Sequence, residues 1–180
     1  MKYWSILLFV ILLFACSGEQ QQKNATAQKQ TEYPDQESWD ATIIITREGK
    51  TVGHLKAGHV QKFSKKQITL MDENILVDFF NEQGQHTTRL TAEGGKIFDN
   101  TQNMMAYGHV VVVSDSGLTL YTDTLNWNNK KQKLYSKIPI MLTTTENDTL
   151  YGDAFESDPS LENYVITNPH GKSSKTIELK

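Results

Sequence analysis

A segment that recurs about every 30 residues limits this chain to a small set of folds. The segments HLKAGHVQKF, RLTAEGGKIF, TLYTDTLNWN and TLYGDAFESD align on Leu55, Leu90, Leu120 and Leu150, which are separated by 35, 30 and 30 residues. Such a period is typical of repeated β units. No window of a dozen residues shows apolar positions at helical spacing with caps at both ends. The repeat therefore predicts an all-β chain.

Short runs rich in β-branched and aromatic residues alternate with turn residues along the same region. Strands are predicted at 42–46, 67–71, 75–80, 110–114, 118–122 and 138–143. Turns are predicted at 48–49, 82–84, 99–100, 114–117, 128–129 and 158–159. This alternation favours one antiparallel sheet.

The apolar positions change parity inside each repeat. A strand with one buried face keeps one parity, and one extra residue at a β-bulge explains a shift. The third residue after each leucine marks that position: Gly58, Glu93, Asp123 and Asp153. A bulge also adds twist, which a sheet needs in order to curl. An acidic metal or catalytic site is the alternative, but recurrence at equivalent positions favours backbone geometry.

The alternation also predicts which face is buried. Asp78 carries a charge and places its own face in water, so its neighbours Val77 and Phe79 point inward. By alignment of the repeats, the predicted inward set is Val77, Phe79, Leu90, Val110, Val112, Leu120, Ile140, Leu142 and Leu150. From the pattern alone, a sealed core is the commoner use of such a face.

The N-terminus has the pattern of a lipoprotein signal peptide over residues 1–15. Lys2 precedes an apolar run at 6–14, which is too short to span about 30 Å of hydrocarbon as a helix. Ala15-Cys16 then resembles the bacterial lipobox, in which the cysteine is lipidated and cleavage occurs just before it. Phe14 departs slightly from the usual residue at its position. An uncleaved short anchor or an ordinary secretory signal is the alternative.

Residues 16–38 are predicted to be the lipidated Cys16 followed by a disordered linker. The sequence SGEQQQKNATAQKQTEYPDQES carries almost no large apolar residue and cannot offset its ordering entropy. As a flexible coil it would average about 25 Å end to end. The folded domain is therefore predicted at 39–180, tethered to a membrane.

Composition excludes several classes of function. The chain has 180 residues, a formal charge of −3 and a single cysteine, which is incompatible with a disulfide scaffold and with polybasic nucleic-acid binding. Its five histidines form no H-x-H pair and no H-E-x-x-H motif, and no G-x-S-x-G or complete phosphate loop is present. The sequence thus predicts no enzyme, no metal, no cofactor and no nucleic-acid partner.

Several short motifs resemble the LptC family of the OstA-like group. They are Leu55-x-Ala57-x-His59-Val60, Leu90-x-Ala92, Tyr107-Gly108-His109-Val110-x-Val112, Thr122-Asp123 and the strand glycine Gly152. The resemblance covers residues 39–167. Well-studied members carry an N-terminal transmembrane helix, whereas this chain has a lipobox.

The resemblance implies a fold, a function and partners. The fold is a single curled β-jellyroll, open at both ends, whose inward residues bind lipid acyl chains. The family accepts lipopolysaccharide from an inner-membrane ABC transporter and passes it to a periplasmic bridge jellyroll (LptA-like). The protein is therefore expected in the periplasm, held by its lipid anchor, with the inner membrane favoured.

The resemblance also places the partner contacts. An edge around Gly152, Tyr164 and Ile166 would face the downstream jellyroll, and segment 42–46 would face the transporter. Two alternatives remain open: a glycan-binding or adhesive β-sandwich lipoprotein that uses Tyr121 and Trp127 as a stacking platform, and a jellyroll hydrolase or lyase.

Overall fold

The computed structural model describes residues 33–146 and 148–172, which fold almost entirely into β-strands. These strands form one antiparallel 14-stranded sheet. In chain order they are β1 (Gln36–Arg47), β2 (Lys50–Phe63), β3 (Ile68–Asp72), β4 (Ile75–Phe80), β5 (His86–Ala92), β6 (Gly94–Phe98), β7 (Asn103–Ser114), β8 (Thr119–Asn128), β9 (Lys133–Ser136), β10 (Ile140–Thr143), β11 (Thr149–Gly152), β12 (Ala154–Ser157), β13 (Tyr164–Thr167) and β14 (His170–Lys172). A 3₁₀ turn, Ser64–Lys66, joins β2 to β3. The predicted all-β fold is confirmed.

The sheet is divided into two half-sheets because its long strands change partners midway. β2 pairs with β4 over 53–56 and with β3 over 59–63. β7 likewise pairs with β6 through its first half and with β5 through its second half. The first half-sheet therefore runs β1, β2, β4, β5, β7, β8, β10, β11, β14, and the second runs β1, β2, β3, β6, β7, β8, β9, β12, β13.

Backbone hydrogen bonds join the strands where they pass from one half-sheet to the other. The amide of Gly58 donates to the carbonyl of Glu73 at 2.9 Å, and that of Asp153 donates to Thr167 at 3.0 Å. These bonds satisfy backbone groups that the change of partner would leave unpaired. The Gly and acidic positions of the repeat thus form the corner between the half-sheets.

A bulge occurs opposite one of the four marked positions, but its extra residue lies in the partner strand and not in the repeat as predicted. Gly108 and His109 of β7 lie opposite Asp123 of β8, where the register shifts. Gly108 has φ of +77°, and a Cβ there would overlap the side chain of Glu93, so glycine is required. Elsewhere the bulge prediction was wrong: Gly58 lies where β2 changes partners, and Glu93 and Asp153 separate successive strands. At these three positions the apolar residues change parity because the chain passes from one half-sheet to the other.

The repeat leucines lie in one row across the inner face of the first half-sheet. Each pairs with an apolar residue of the strand between two repeats, so the side chains contact one another directly. The row runs Ile43, Leu55, Val77, Leu90, Val112, Leu120, Leu142, Leu150. Between two leucine-bearing strands of this row lies one intervening strand. The chain must form that strand before it returns to the next leucine, which explains the spacing of about 30 residues.

The sheet is open at both ends. Within the described residues, β1 pairs only with β2, β13 only with β12 and β14 only with β11. β1 begins at Gln36, inside the segment predicted as linker. The signal peptide, Cys16 and most of the linker lie outside the described residues.

Candidate functional site

The interior between the two half-sheets is tightly packed toward the C-terminal strands. Side chains there are 0–2% exposed and form one apolar cluster with contributions from both half-sheets. They include Val110, Val112, Leu120, Leu142, Phe155 and Leu161. Such packing leaves no room for a ligand in this part of the interior.

Toward the N-terminal strands the interior is hollow. A partly enclosed cavity of about 450 Å³ lies between the half-sheets, and its lining includes residues at the ends of β1, β4 and β8 and at the starts of β2 and β7. Its walls are predominantly apolar. They are lined by Ile45, Val52, Leu55, Met71, Ile75, Val77, Phe79, Phe80, Leu90, Met104, Met105, Ala106, Leu125, Trp127 and Leu134, among others.

Small residues in the second half-sheet leave this space unfilled. Gly95 pairs with Met71 on one side and with Ala106 on the other, and all three line the cavity. A Cβ at Gly95 would stand 3.1 Å from Cε of Met71, so a larger residue would enter the hollow. The flexible methionines Met71, Met104 and Met105 of the same half-sheet allow the cavity to adapt to different apolar ligands.

Two cations stand among the residues that line the cavity. Arg47, at the end of β1, and Lys130, in the β8–β9 turn, are both exposed. Neither forms an ion pair with another described residue. An apolar wall beside an unpaired cation strengthens the local field, which favours a ligand with an apolar tail and an anionic group.

A loop between β12 and β13, residues 158–163, closes the cavity on its C-terminal side; we call it the closing loop. Pro159 lines the cavity, and its carbonyl accepts a hydrogen bond of 2.8 Å from Oγ1 of Thr88 on β5. Leu161 is 0% exposed. The loop thus extends from the second half-sheet to the first.

The carboxylate of Asp158 holds the closing loop together. Its oxygens accept hydrogen bonds from Oγ of Ser160, the amide of Glu162 and Nδ2 of Asn163, at 3.0, 3.0 and 2.7 Å. Burial alone would raise the pKa of Asp158, but these hydrogen bonds stabilise the charged form and hold its pKa below the usual value.

The structure divides the predicted inward residues between the two parts of the interior. Val77, Phe79 and Leu90 line the cavity. Five others are buried and do not line it: Val110, Val112, Leu120, Ile140 and Leu142. Leu150 is half-buried at the far end of the same row. Their assignment to lipid binding stays a prediction.

The three predicted edge residues lie together at the C-terminal end of the sheet. Gly152 is buried at the end of β11, and a Cβ there would overlap the side chain of Ile166 on β13. Tyr164, also on β13, stacks on the ring of Phe155 at 6.1 Å between centroids. The pairing edge of β13 opposite β12 has no partner strand among the described residues. This edge is available for pairing with another chain.

The sequence interpretation missed several cavity residues and grouped two aromatic residues that the structure separates. Trp127 lines the cavity, whereas Tyr121 pairs with Met141 on the outer face, so the suggested aromatic platform is not formed. The shifted parity of the repeat, which places Trp127 in line with Leu125, is the signal that was available. Arg47, Lys130 and Pro159 carried no such signal, since each lies at a strand end or in a turn.

Other ionisable clusters lie away from the cavity lining. His59 contacts Asp72 and Glu37 at 3.1 and 3.2 Å and stacks on Trp39, which fastens β1 to β2. At the corner, the hydrogen bond of His109 with Glu93 and the charge of that carboxylate raise the histidine pKa. Among residues 33–146 and 148–172, no group of three or more His, Cys, Asp or Glu could hold a metal ion. The same residues include no helix long and apolar enough to cross a membrane.

The fold and the cavity define an all-β jellyroll-like protein with a hollow, apolar interior. A comparison with family models then gives the particular family: the model for lipopolysaccharide-assembly, LptC-related proteins matches residues 4–158. The chain therefore belongs to the LptC family. A search of curated proteins finds no match.

Membership in this family makes the protein a component of lipopolysaccharide transport. The family is a periplasmic, inner-membrane-associated part of that system and acts as a transport bridge, not as a catalyst.

Proposed function

We propose that this protein encloses acyl chains of lipopolysaccharide in the cavity between its half-sheets and passes the lipid toward the outer membrane. The observation that carries the proposal is the 450 Å³ apolar hollow with Arg47 and Lys130 among its lining residues. Burial of hydrocarbon contributes about 0.8 kcal/mol per CH₂. Tails in the hollow and phosphate groups beside the cations match the two chemical parts of the lipid.

The cavity also suits a carrier that has to release its cargo. One side remains open, so the headgroup keeps its hydration and each acyl chain is only partly desolvated. A site that buried every chain would hold the lipid too tightly to hand it on. The movement itself then depends on a transporter upstream.

Two open edges serve as the proposed partner contacts. β1 would pair with an inner-membrane ABC transporter through segment 42–46, and β13 would pair with a bridge jellyroll (LptA-like) through the edge that carries Tyr164 and Ile166. Main-chain hydrogen bonds supply the affinity in such strand additions. The hollow would then lie between the donor and the acceptor of the lipid.

The proposed location is the periplasmic face of the inner membrane, with the chain held by lipid on Cys16. Several acyl chains on one cysteine anchor a protein far more firmly than one chain does. The part of segment 16–38 that precedes β1 would then act as a tether between the lipid and the sheet.

Photocrosslinking in cells tests this function. A photoreactive residue at Phe79, in the cavity, is expected to give lipopolysaccharide adducts. The matched control is Val113, which is 46% exposed. It should give none. Equal labelling at the two positions, or no adduct at any cavity position, would contradict the proposal.

A further inference from the structure

We propose that the closing loop is a gate, which must leave its place before acyl chains can move from the cavity to the C-terminal end of the jellyroll. This inference rests on the proposed function. It concerns the part of the interior that the cavity does not reach and assigns a role to a loop that no family motif covers.

The closing loop stands at the boundary between the hollow and the packed interior. In the first half-sheet the cavity reaches Leu90 on β5, and the loop is attached to Thr88 of the same strand. Beyond this strand, Val112 and Leu120 of the inner row are completely buried. The row continues from there over β10 to Leu150 on β11, so an acyl chain that moves along it past β5 meets the loop.

The hollow alone is too small for the whole hydrophobic part of the cargo. Its 450 Å³ lies in the lower part of the range of about 300 to 1,000 Å³ that encloses a drug-sized ligand. Lipopolysaccharide carries several long acyl chains. More interior space has to open if more than a fraction of them is to be enclosed.

The bonding of the loop suits movement as one unit. Its hydrogen bonds are mainly internal and centre on Asp158, with a further bond of 3.2 Å from Oγ of Ser157 to the carbonyl of Asn163. Among the described residues, the hydrogen bond that links it to the first half-sheet is that of Thr88 with Pro159. Breaking this bond and withdrawing Leu161 would detach the loop while its own fold persists.

Leu161 is the side chain that fastens the loop to the packed interior. Its φ is +60°, in the left-handed region that a leucine rarely adopts, and its side chain is fully buried. Tertiary packing of this side chain compensates for the backbone strain in the closed state. Withdrawal of Leu161 is therefore the step that opening requires.

A reversible disulfide tests the gate. The variant Thr88→Cys/Pro159→Cys would fasten the loop at its contact with β5, where the two residues are joined by the 2.8 Å hydrogen bond. Photoreactive residues at Phe79 and Leu150 report lipopolysaccharide before and beyond the loop. Oxidation is expected to keep the Phe79 adduct and to reduce the Leu150 adduct at least fivefold, and reduction should restore it.

The control disulfide is Val113→Cys/Thr119→Cys, which joins paired residues of β7 and β8 away from the loop. It should change neither adduct. Persistence of both adducts in the oxidised gate variant would overturn the gate and leave the proposed function intact. Loss of both on oxidation would assign the loop to entry instead, which also overturns the gate. Absence of both in the reduced protein would reject the proposed function together with the gate.

A second variant keeps the test independent of disulfide formation. Leu161→Gly removes the buried side chain and accommodates the positive φ. It should raise the Leu150 adduct at least twofold relative to the Phe79 adduct. An unchanged ratio in a folded variant would speak against a gate.

Discussion

At the scale of single residues, the cavity combines apolar walls with two cations that form no ion pair with another described residue. Arg47 and Lys130 come from opposite half-sheets, and each lies at a strand end or turn beside the hollow. Burial of an acyl chain against the apolar walls contributes hydrophobic free energy of binding. The guanidinium and the ammonium can form charge-assisted hydrogen bonds with an anionic headgroup. Together they select an amphipathic lipid with negative charge over an uncharged one.

Removal of these cations is expected to weaken binding of phosphorylated lipid. Arg47→Gln/Lys130→Gln should lower the affinity for lipid A that carries both phosphates about tenfold, since charge-assisted hydrogen bonds at exposed positions are partly screened. Binding of the dephosphorylated lipid should change little. Lys56→Gln, an exposed residue of β2 that does not line the cavity, is the control. Equal losses for both lipids, measured with fluorescent analogues, would count against a phosphate contact.

At the scale of elements, the order of the strands places the open edges at opposite ends of one curved sheet. β1 and β13 share no neighbour, and the cavity lies on the side of β1. A substitution at the β13 edge can therefore alter partner binding without altering the cavity.

Gly152→Arg should disturb the β13 edge alone. A side chain at this position would overlap Ile166, so β13 has to shift. We expect at least tenfold weaker capture of the LptA-like jellyroll and an unchanged Phe79 adduct. Thr101→Arg, in the exposed β6–β7 turn, adds the same charge elsewhere. Normal capture by the Gly152 variant would exclude this edge as the contact.

Acid should loosen the closing loop. The folded-state pKa of Asp158 lies below that of an unfolded chain, so its stabilisation is present above the unfolded value and is lost as pH falls through the folded value. The NMR signals of the Glu162 and Asn163 amides, which donate to this carboxylate, should stay constant from pH 7 to about 5 and shift below about pH 4. Asp158→Asn should remove the transition. A midpoint above the unfolded pKa would mean that the hydrogen bonds do not stabilise the charge.

At the scale of the whole molecule, the proposed function makes the protein a passive carrier between two partner contacts, and the proposed lipid anchor would fix its place in the cell. The net charge of −3 gives the chain no attraction to anionic lipid. The proposed attachment would therefore depend on the lipid on Cys16.

Cys16→Ser should release the protein from the membrane. Without acyl chains the chain loses the hydrophobic contribution that holds it there, and the variant should appear in the soluble periplasmic fraction. Mass spectrometry of the wild-type N-terminal peptide should show a lipidated Cys16. Continued sedimentation of the variant with membranes would favour an uncleaved anchor.

The repeat was sufficient to predict an antiparallel sheet and the approximate positions of several strands. Alternation and turn chemistry are local properties of the chain, so the sequence records them directly. Strand 75–80 was predicted to the residue, and the predicted inward set is buried except for Phe79 and Leu150, which are half-buried. The corner was only partly recognised. In the sequence, a β-bulge and a change of pairing partner produce the same shift in the parity of apolar positions. Only the strand pairing in the folded structure distinguishes the two.

By itself, the sequence determined the all-β class, the curled jellyroll of the LptC family and the apolar inner face. Only the tertiary structure decided which part of that face is hollow. Gly95 and Ala106 come to lie together in neighbouring strands, Pro159 reaches Thr88 from the other half-sheet, and Arg47 and Lys130 arrive from distant turns. Local periodicity cannot record such contacts, since a void depends on the combined volumes of residues far apart in the chain.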